Sequence, residues 1–162
     1  MMKVLTMNYT SKQSEVRMYI NLYLLTVCFT IFALIVSLNS TLLNNFLFSI
    51  QLVSCIPLFF SSILARSKLG MVKRPELWDI YGHSTFLLGY SFLINVVGIL
   101  FASAGNPNTG IIFLIINICC ALFYSAVEMF EDSKKVTSRL RKDLFFILVI
   151  IVGGILPALR VY

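Results

Sequence analysis

Two carboxylates and the single histidine of the chain follow one another at helical spacing near the middle of the sequence. Glu76, Asp79 and His83 are separated by three and four residues, so a helix would place them on one face. Carboxylate and imidazole groups bind metal ions and transfer protons, which makes a metal or proton site one interpretation. One histidine with two carboxylates is a weak ligand set, however. We therefore predict no metal, no cofactor and no catalytic residue in this segment.

The same polar segment also carries basic and aromatic side chains. Lys73 and Arg74 come directly before Pro75, which suits the first turn of a helix, and Trp78 follows within that helix. Tryptophan is typical of helices that lie at the level of lipid headgroups. We predict a short interfacial helix over residues 75–83. Lys73 and Arg74 are expected to face an anionic lipid or a protein partner.

Amide and hydroxyl side chains interrupt three long apolar stretches. Together with small residues such as Gly98 and Ala121, they share one helical face on each stretch, mostly at spacings of three or four. Amides at such positions hydrogen-bond between helices, so we predict a packing seam in which Gln51 and Asn95 meet. A polar pathway is the alternative, although a seam without charged side chains is poorly suited to proton transfer. The predicted seam residues are Gln51, Ser91, Asn95, Asn117 and Ser125.

Glu128 is the acidic residue that lies deepest in an apolar stretch. It sits about one helical turn from the polar end of that stretch. We predict an interfacial carboxylate paired with Lys134, Lys135 or an arginine of the segment 66–83. A cation site is the alternative.

The composition indicates that lipid surrounds these residues. The chain is 59% hydrophobic and only 12% charged, whereas about a quarter of the residues in a soluble domain are charged. The net charge of +6 is carried in short segments beside apolar stretches, which favours a role in membrane topology and excludes nucleic acid as a partner. Four cysteines lie within the apolar stretches and are predicted to pack as small apolar residues: Cys28, Cys55, Cys119 and Cys120.

We therefore predict an all-α integral membrane protein, formed by one compact bundle of five transmembrane helices with very short outer turns. About 20 apolar residues are needed for each span. The predicted spans are residues 18–38, 43–65, 84–104, 111–130 and 144–161. The last span is short and contains Gly153, Gly154 and Pro157, so four spans are the alternative.

The distribution of charge predicts the orientation of these spans. Every acidic residue, and every lysine and arginine except Arg160, lies in residues 1–17, 66–83 or 128–143. The turns after the first and third spans carry no charge. Since an excess of lysine and arginine belongs in the cytoplasm, we predict a plasma (inner) membrane protein with its N-terminus in the cytoplasm and its C-terminus outside.

This arrangement predicts that the lipid bilayer is the first partner and that function resides on the cytoplasmic face. It favours a non-enzymatic protein that acts as a subunit of a membrane complex, or as an effector that alters permeability. One alternative is a small channel or carrier for an ion or small solute, assembled as a homo-oligomer. A membrane-embedded enzyme is the other.

Overall fold

A computed structural model of the chain describes residues 2–38, 40–69, 71–72, 75–104, 106–131 and 136–159, with the backbone alone at residues 2–13, 38, 40, 131 and 138. All regular structure in these residues is helical, and five helical stretches are long and apolar enough to cross a membrane. The predicted all-helical class with five long apolar helices is thus confirmed. The elements are α1 (Met2–Leu38), a 3-10 turn (Ser40–Asn44), α2 (Phe46–Lys68), α3 (Pro75–Ser103), α4 (Pro107–Glu131), α5 (Val136–Ile150), a π-helical turn (Ile151–Ile155) and α6 (Leu156–Leu159).

Asparagine caps fix the points at which α2 and α4 begin. Asn45 Oδ1 accepts a hydrogen bond from the backbone N–H of Leu47 at 3.1 Å. Asn106 Oδ1 accepts one from the N–H of Asn108 at 3.0 Å. Pro107 occupies the first position of α4, where no backbone N–H is needed. These caps satisfy N–H groups that have no partner inside their own helix, and they allow the preceding turns to be short.

α3 begins at Pro75, as predicted, but it continues without a break to Ser103. The segment 75–83 is therefore the first part of α3, and not a separate interfacial helix. Gly82 does not end the helix, because it lies where α3 approaches α2: a Cβ at Gly82 would lie 3.0 Å from Ala65 Cβ. The resulting helix is about 43 Å long at ~1.5 Å per residue.

The last apolar stretch is also longer than predicted. α5 begins at Val136, and the helical path continues through the π-helical turn to Leu159. In that turn the N–H of Leu156 donates to Ile151 O, five residues earlier. The stretch Arg139–Leu159 is long and apolar enough to cross a membrane, since the residues before 144 supply the missing length.

The backbone packs as two compact units. Unit 1 consists of Met1–Ser40 and Val53–Tyr90, and unit 2 consists of Thr41–Leu52 and Ser91–Tyr162. Helices α2 and α3 contribute residues to both units. Each unit contains buried apolar side chains and aromatic pairs of its own, with ring centroids 6.2 Å apart for Phe59 and Phe86 in unit 1 and 5.2 Å apart for Phe101 and Phe113 in unit 2. The single-domain organisation stays a prediction.

Candidate functional site

Three charged side chains from α1, α2 and α3 meet in unit 1. Asp79 Oδ1 forms an ion pair with the guanidinium of Arg66, and Arg17 Nη1 lies 3.6 Å from the same oxygen. The Arg66 side chain is only 3% exposed, whereas those of Arg17 and Asp79 are 50% and 51% exposed. A buried guanidinium is tolerated only when it is paired, so Asp79 is the group that allows Arg66 to be buried. We call these three residues the ionic cluster.

A chain of neutral hydrogen bonds lies one helical turn away from the ionic cluster on each helix. Asn21 Nδ2 donates to Ser62 Oγ at 3.0 Å, and Ser62 Oγ donates to Gly82 O at 2.6 Å. Asn21 and Ser62 are buried. The three helices of unit 1 are therefore joined by two successive polar layers, one charged and one neutral.

The structure places Asp79 with arginines, and not in a ligand set with Glu76 and His83. The Glu76 side chain is exposed and that of His83 is half-buried. Among the described residues, no group of three or more histidine, cysteine, aspartate or glutamate side chains is arranged to hold a metal ion. The spacing of the three residues by three and four positions along α3 therefore reflects one helical face without a shared centre.

The remaining candidates of the polar segment are aromatic or basic. Trp78 and Tyr81 are both exposed and pack edge to face, with ring centroids 6.3 Å apart. Lys73 and Arg74 lie outside the described residues. The structure thus gives Trp78 a neighbour and a position near the start of α3, and the role predicted for the two basic residues stays a prediction.

Gln51 and Asn95 meet in unit 2, as their sequence positions suggested. Asn95 Nδ2 donates to Gln51 Oε1 at 2.7 Å and to Val149 O at 3.1 Å. Gln51 Nε2 donates to Leu47 O at 3.0 Å and to Gly153 O at 2.8 Å. Both side chains are buried, and all four of their N–H bonds have acceptors. We call Gln51, Asn95 and the carbonyl groups that they contact the amide cluster.

The amide cluster compensates an irregular stretch of backbone. Pro157 has no N–H with which to bond Gly153 O, the carbonyl four residues before it, and Gln51 supplies that hydrogen bond. A Cβ at Gly153 would lie 2.5 Å from Asn95 Nδ2, and one at Gly154 would lie 2.5 Å from Asn95 Oδ1. Two glycines are therefore needed for the amides to approach the π-helical turn.

Asn117 and Ser125 do not join this cluster. Asn117 Nδ2 donates to Phe113 O of its own helix at 2.8 Å. Ser91 and Ser125 are buried, and Ser125 Oγ has no hydrogen-bond partner among the described residues. Of the predicted seam residues, Gln51 and Asn95 thus hydrogen-bond across helices, whereas the side-chain hydrogen bond of Asn117 stays within its own helix.

Glycine, and not a polar side chain, makes the close contact between α3 and α4. A Cβ at Gly98 would lie 2.7 Å from the side chain of Leu114, and a Cβ at Gly110 would lie 2.3 Å from Gly98 O. Small residues allow helix backbones to approach in this way.

Glu128 is paired, but with a residue other than those predicted. Its carboxylate forms an ion pair with Arg139 of α5 and accepts a hydrogen bond from Tyr124 Oη at 3.1 Å. Lys134 and Lys135 lie outside the described residues. The ion pair gives Glu128 a structural partner within unit 2.

The four cysteines occupy two environments. Cys28 and Cys55 are fully buried in unit 1, and Cys55 Sγ donates to Gly89 O at 3.5 Å. Cys119 and Cys120 are exposed on α4. The packing role predicted for all four therefore fits the first pair only.

Sequence reasoning missed several members of both clusters. Asn21 is the only amide within the first predicted span, which was a usable signal. Arg66 stands at the end of an apolar stretch, where burial of a charge has no local signature. Pro157 leaves the carbonyl of Gly153 without its usual helical donor, but the position of a proline does not identify the side chain that replaces it. Comparison of the chain with models of protein families, with curated proteins and with solved structures finds no match.

Proposed function

We propose that this chain is a non-enzymatic integral membrane protein that acts through a charged cytoplasmic face, as a subunit of a membrane complex or as an effector that alters permeability. The observation that carries the proposal is the separation of charge. The turns between α1 and α2 and between α3 and α4 carry no charged residue, whereas the segments at the other ends of these helices and the first half of α5 carry every charged residue except Arg160. Such an excess of lysine and arginine is typical of the cytoplasmic side.

Exposed apolar surface supports a lipid environment. Residues 14–37 of α1 and most of α4 expose large side chains, including Tyr23 and Phe123, which are 72% and 74% exposed. Continuous apolar surface of this kind is rare on soluble monomers. A bilayer, or the helices of a partner, would cover it.

Exposed apolar residues beside the charged segments support contact with a partner. Met71 and Phe130 are 83% and 93% exposed, and each lies within a few residues of a charged segment. Leu77 and Ile80 are exposed in the first turns of α3. Aromatic and aliphatic side chains with nearby arginine are common at protein interfaces.

The amide cluster favours a packing role over a channel or carrier. Its four N–H donors already bond to acceptors of the chain, so they are not available to a passing solute. Arg66 and Glu128 each form an ion pair within their own unit. The channel or carrier therefore has less support than the subunit or effector.

Site-specific photo-cross-linking in cells tests the proposal. A photoreactive residue at Tyr81 or Phe130 should give a discrete protein adduct. Matched controls at Val53 and Ile112, which are exposed to a similar degree as Tyr81, should not. Loss of membrane potential on expression, without an adduct, would support the effector. Neither an adduct nor a change in potential would contradict the proposal, and solute flux through liposomes that contain the purified protein alone would favour the channel.

A further inference from the structure

The charges of the ionic cluster do not balance. Arg17 and Arg66 are cations, and Asp79 is the one carboxylate among the three side chains, so one positive charge remains in excess. Because Arg17 and Asp79 are half exposed, an anion can reach this charge. Guanidinium groups match the oxygens of phosphate and bind them through paired N–H bonds.

The burial of Arg66 is a second, independent reason to expect an anion at the ionic cluster. Its guanidinium pairs with Asp79, but Arg66 Nε has no hydrogen-bond partner among the described residues. A buried guanidinium whose counterion is half in solvent is incompletely compensated. A further anion at the exposed side of the cluster would add to the compensation that Asp79 gives.

The surroundings of the cluster suit a lipid headgroup. Trp78 and Tyr81, on the same two turns of α3 as Asp79, are exposed. Tryptophan and tyrosine are enriched at the depth where lipid phosphates lie. In a bilayer, these side chains would therefore hold the cluster next to headgroup phosphate.

We infer that Arg17, with the charge of the buried Arg66 behind it, forms a binding site for one phosphate group, which supplements Asp79 as the counterion of Arg66. Phosphate of a lipid headgroup and free inorganic phosphate share the required chemistry. The lipid source rests on the membrane function proposed above, whereas binding of phosphate itself does not.

The test is a titration of the purified protein in a nonionic maltoside detergent, with Tm as the readout. The probes are dioctanoyl phosphatidic acid, dioctanoylglycerol, which lacks the phosphate, and inorganic phosphate. We expect a saturable rise in Tm with phosphatidic acid and no such rise with dioctanoylglycerol. An equal response to inorganic phosphate would identify free phosphate as the source, and a response to phosphatidic acid alone would identify the lipid.

Two variants assign the site. Arg17→Gln should weaken the apparent affinity about tenfold, because it removes charge-assisted hydrogen bonds. The matched control is Arg141→Gln, since Arg141 is an exposed arginine on α5, and it should leave the affinity unchanged. On addition of phosphatidic acid, the Tm of Asp79→Asn should rise more than that of the wild type, because phosphate is then the only anion beside Arg66.

Three results would overturn the inference. The first is that phosphatidic acid gives no saturable rise in the Tm of the wild type. The second is that Arg17→Gln and Arg141→Gln have equal apparent affinities for phosphatidic acid. The third is that a folded Asp79→Asn variant shows a smaller rise in Tm than the wild type. If Asp79→Asn gives no folded protein, the comparison of the two arginine variants decides alone. These results do not depend on adducts at Tyr81 and Phe130, so failure of the site and failure of the proposed function are distinguishable.

Discussion

Units 1 and 2 each contain a buried polar cluster that joins three helical segments, but they differ in how burial is compensated. Unit 1 buries the charge of Arg66 and neutralises it with a half-exposed carboxylate. Unit 2 buries two neutral amides whose four N–H bonds all have acceptors. A buried charge depends on its counterion, whereas a buried amide depends on exact placement of its acceptors. Unit 1 should therefore be sensitive to changes of charge, and unit 2 to changes of shape.

The largest effect is expected from Asp79→Ala in unit 1. This change leaves Arg66 buried without its counterion and should lower the free energy of unfolding by about 2–3 kcal/mol, somewhat less than for a fully buried pair because Asp79 is half exposed. The measurement is unfolding in mixed micelles. Glu76→Ala, at an exposed residue of the same helix, is the matched control and should change the free energy by less than about 0.5 kcal/mol.

A second substitution sharpens this prediction. Adding Arg66→Met to Asp79→Ala removes the unpaired charge, so it should recover most of the lost stability. A double variant that is less stable than Asp79→Ala would show that the packing of Arg66, and not its charge, dominates unit 1.

An intermediate effect is expected from Gly154→Ala in unit 2. The new methyl group would lie 2.5 Å from Asn95 Oδ1, and such overpacking costs about 1–3 kcal/mol. Val152→Ala, at an exposed position of the same π-helical turn, should have little effect. Equal melting temperatures for Gly154→Ala and the wild type would show that the approach of Asn95 to the π-helical turn does not require glycine at position 154.

The smallest of the three effects is expected from Gln51→Met, which keeps the shape of the side chain but removes its amide. Gly153 O then loses a donor and Asn95 Nδ2 loses an acceptor, at a cost of about 1 kcal/mol. In a double-mutant cycle with Asn95→Leu, the coupling energy should be about 0.6–1.7 kcal/mol, the range of hydrogen bonds between membrane helices. A coupling energy near zero would mean that the two amides act independently.

The sequence predicts the regular part of this structure better than its clusters. Long apolar stretches indicated five helices, and Pro75 indicated the start of α3, because composition and proline act locally. Spacing also placed Gln51 and Asn95 on faces that meet. α3 continues without a break through residue 84, since Gly82 serves a close approach of helices and does not end α3; the start of the membrane span near residue 84 stays a prediction.

The ionic cluster could not be predicted from local patterns. Arg17, Arg66 and Asp79 lie on three helices, and nothing in the spacing of one helix reveals which carboxylate on another will meet a buried arginine. Spacing within α3 grouped Asp79 with Glu76 and His83 instead. The partner of Glu128 was missed for the same reason, because Arg139 is brought to it by the packing of α4 and α5.

The most direct test of a charged cytoplasmic face is a topology measurement with a reporter that is active only outside the cytoplasm. Inserted at Asn106, in the uncharged turn before α4, the reporter should be active. Fused after Lys68 or after Lys134, it should be silent, because lysine and arginine near these points hold them in the cytoplasm. Activity at Lys68 together with silence at Asn106 would contradict the proposed orientation, and silence at all three positions would contradict the membrane-spanning arrangement itself.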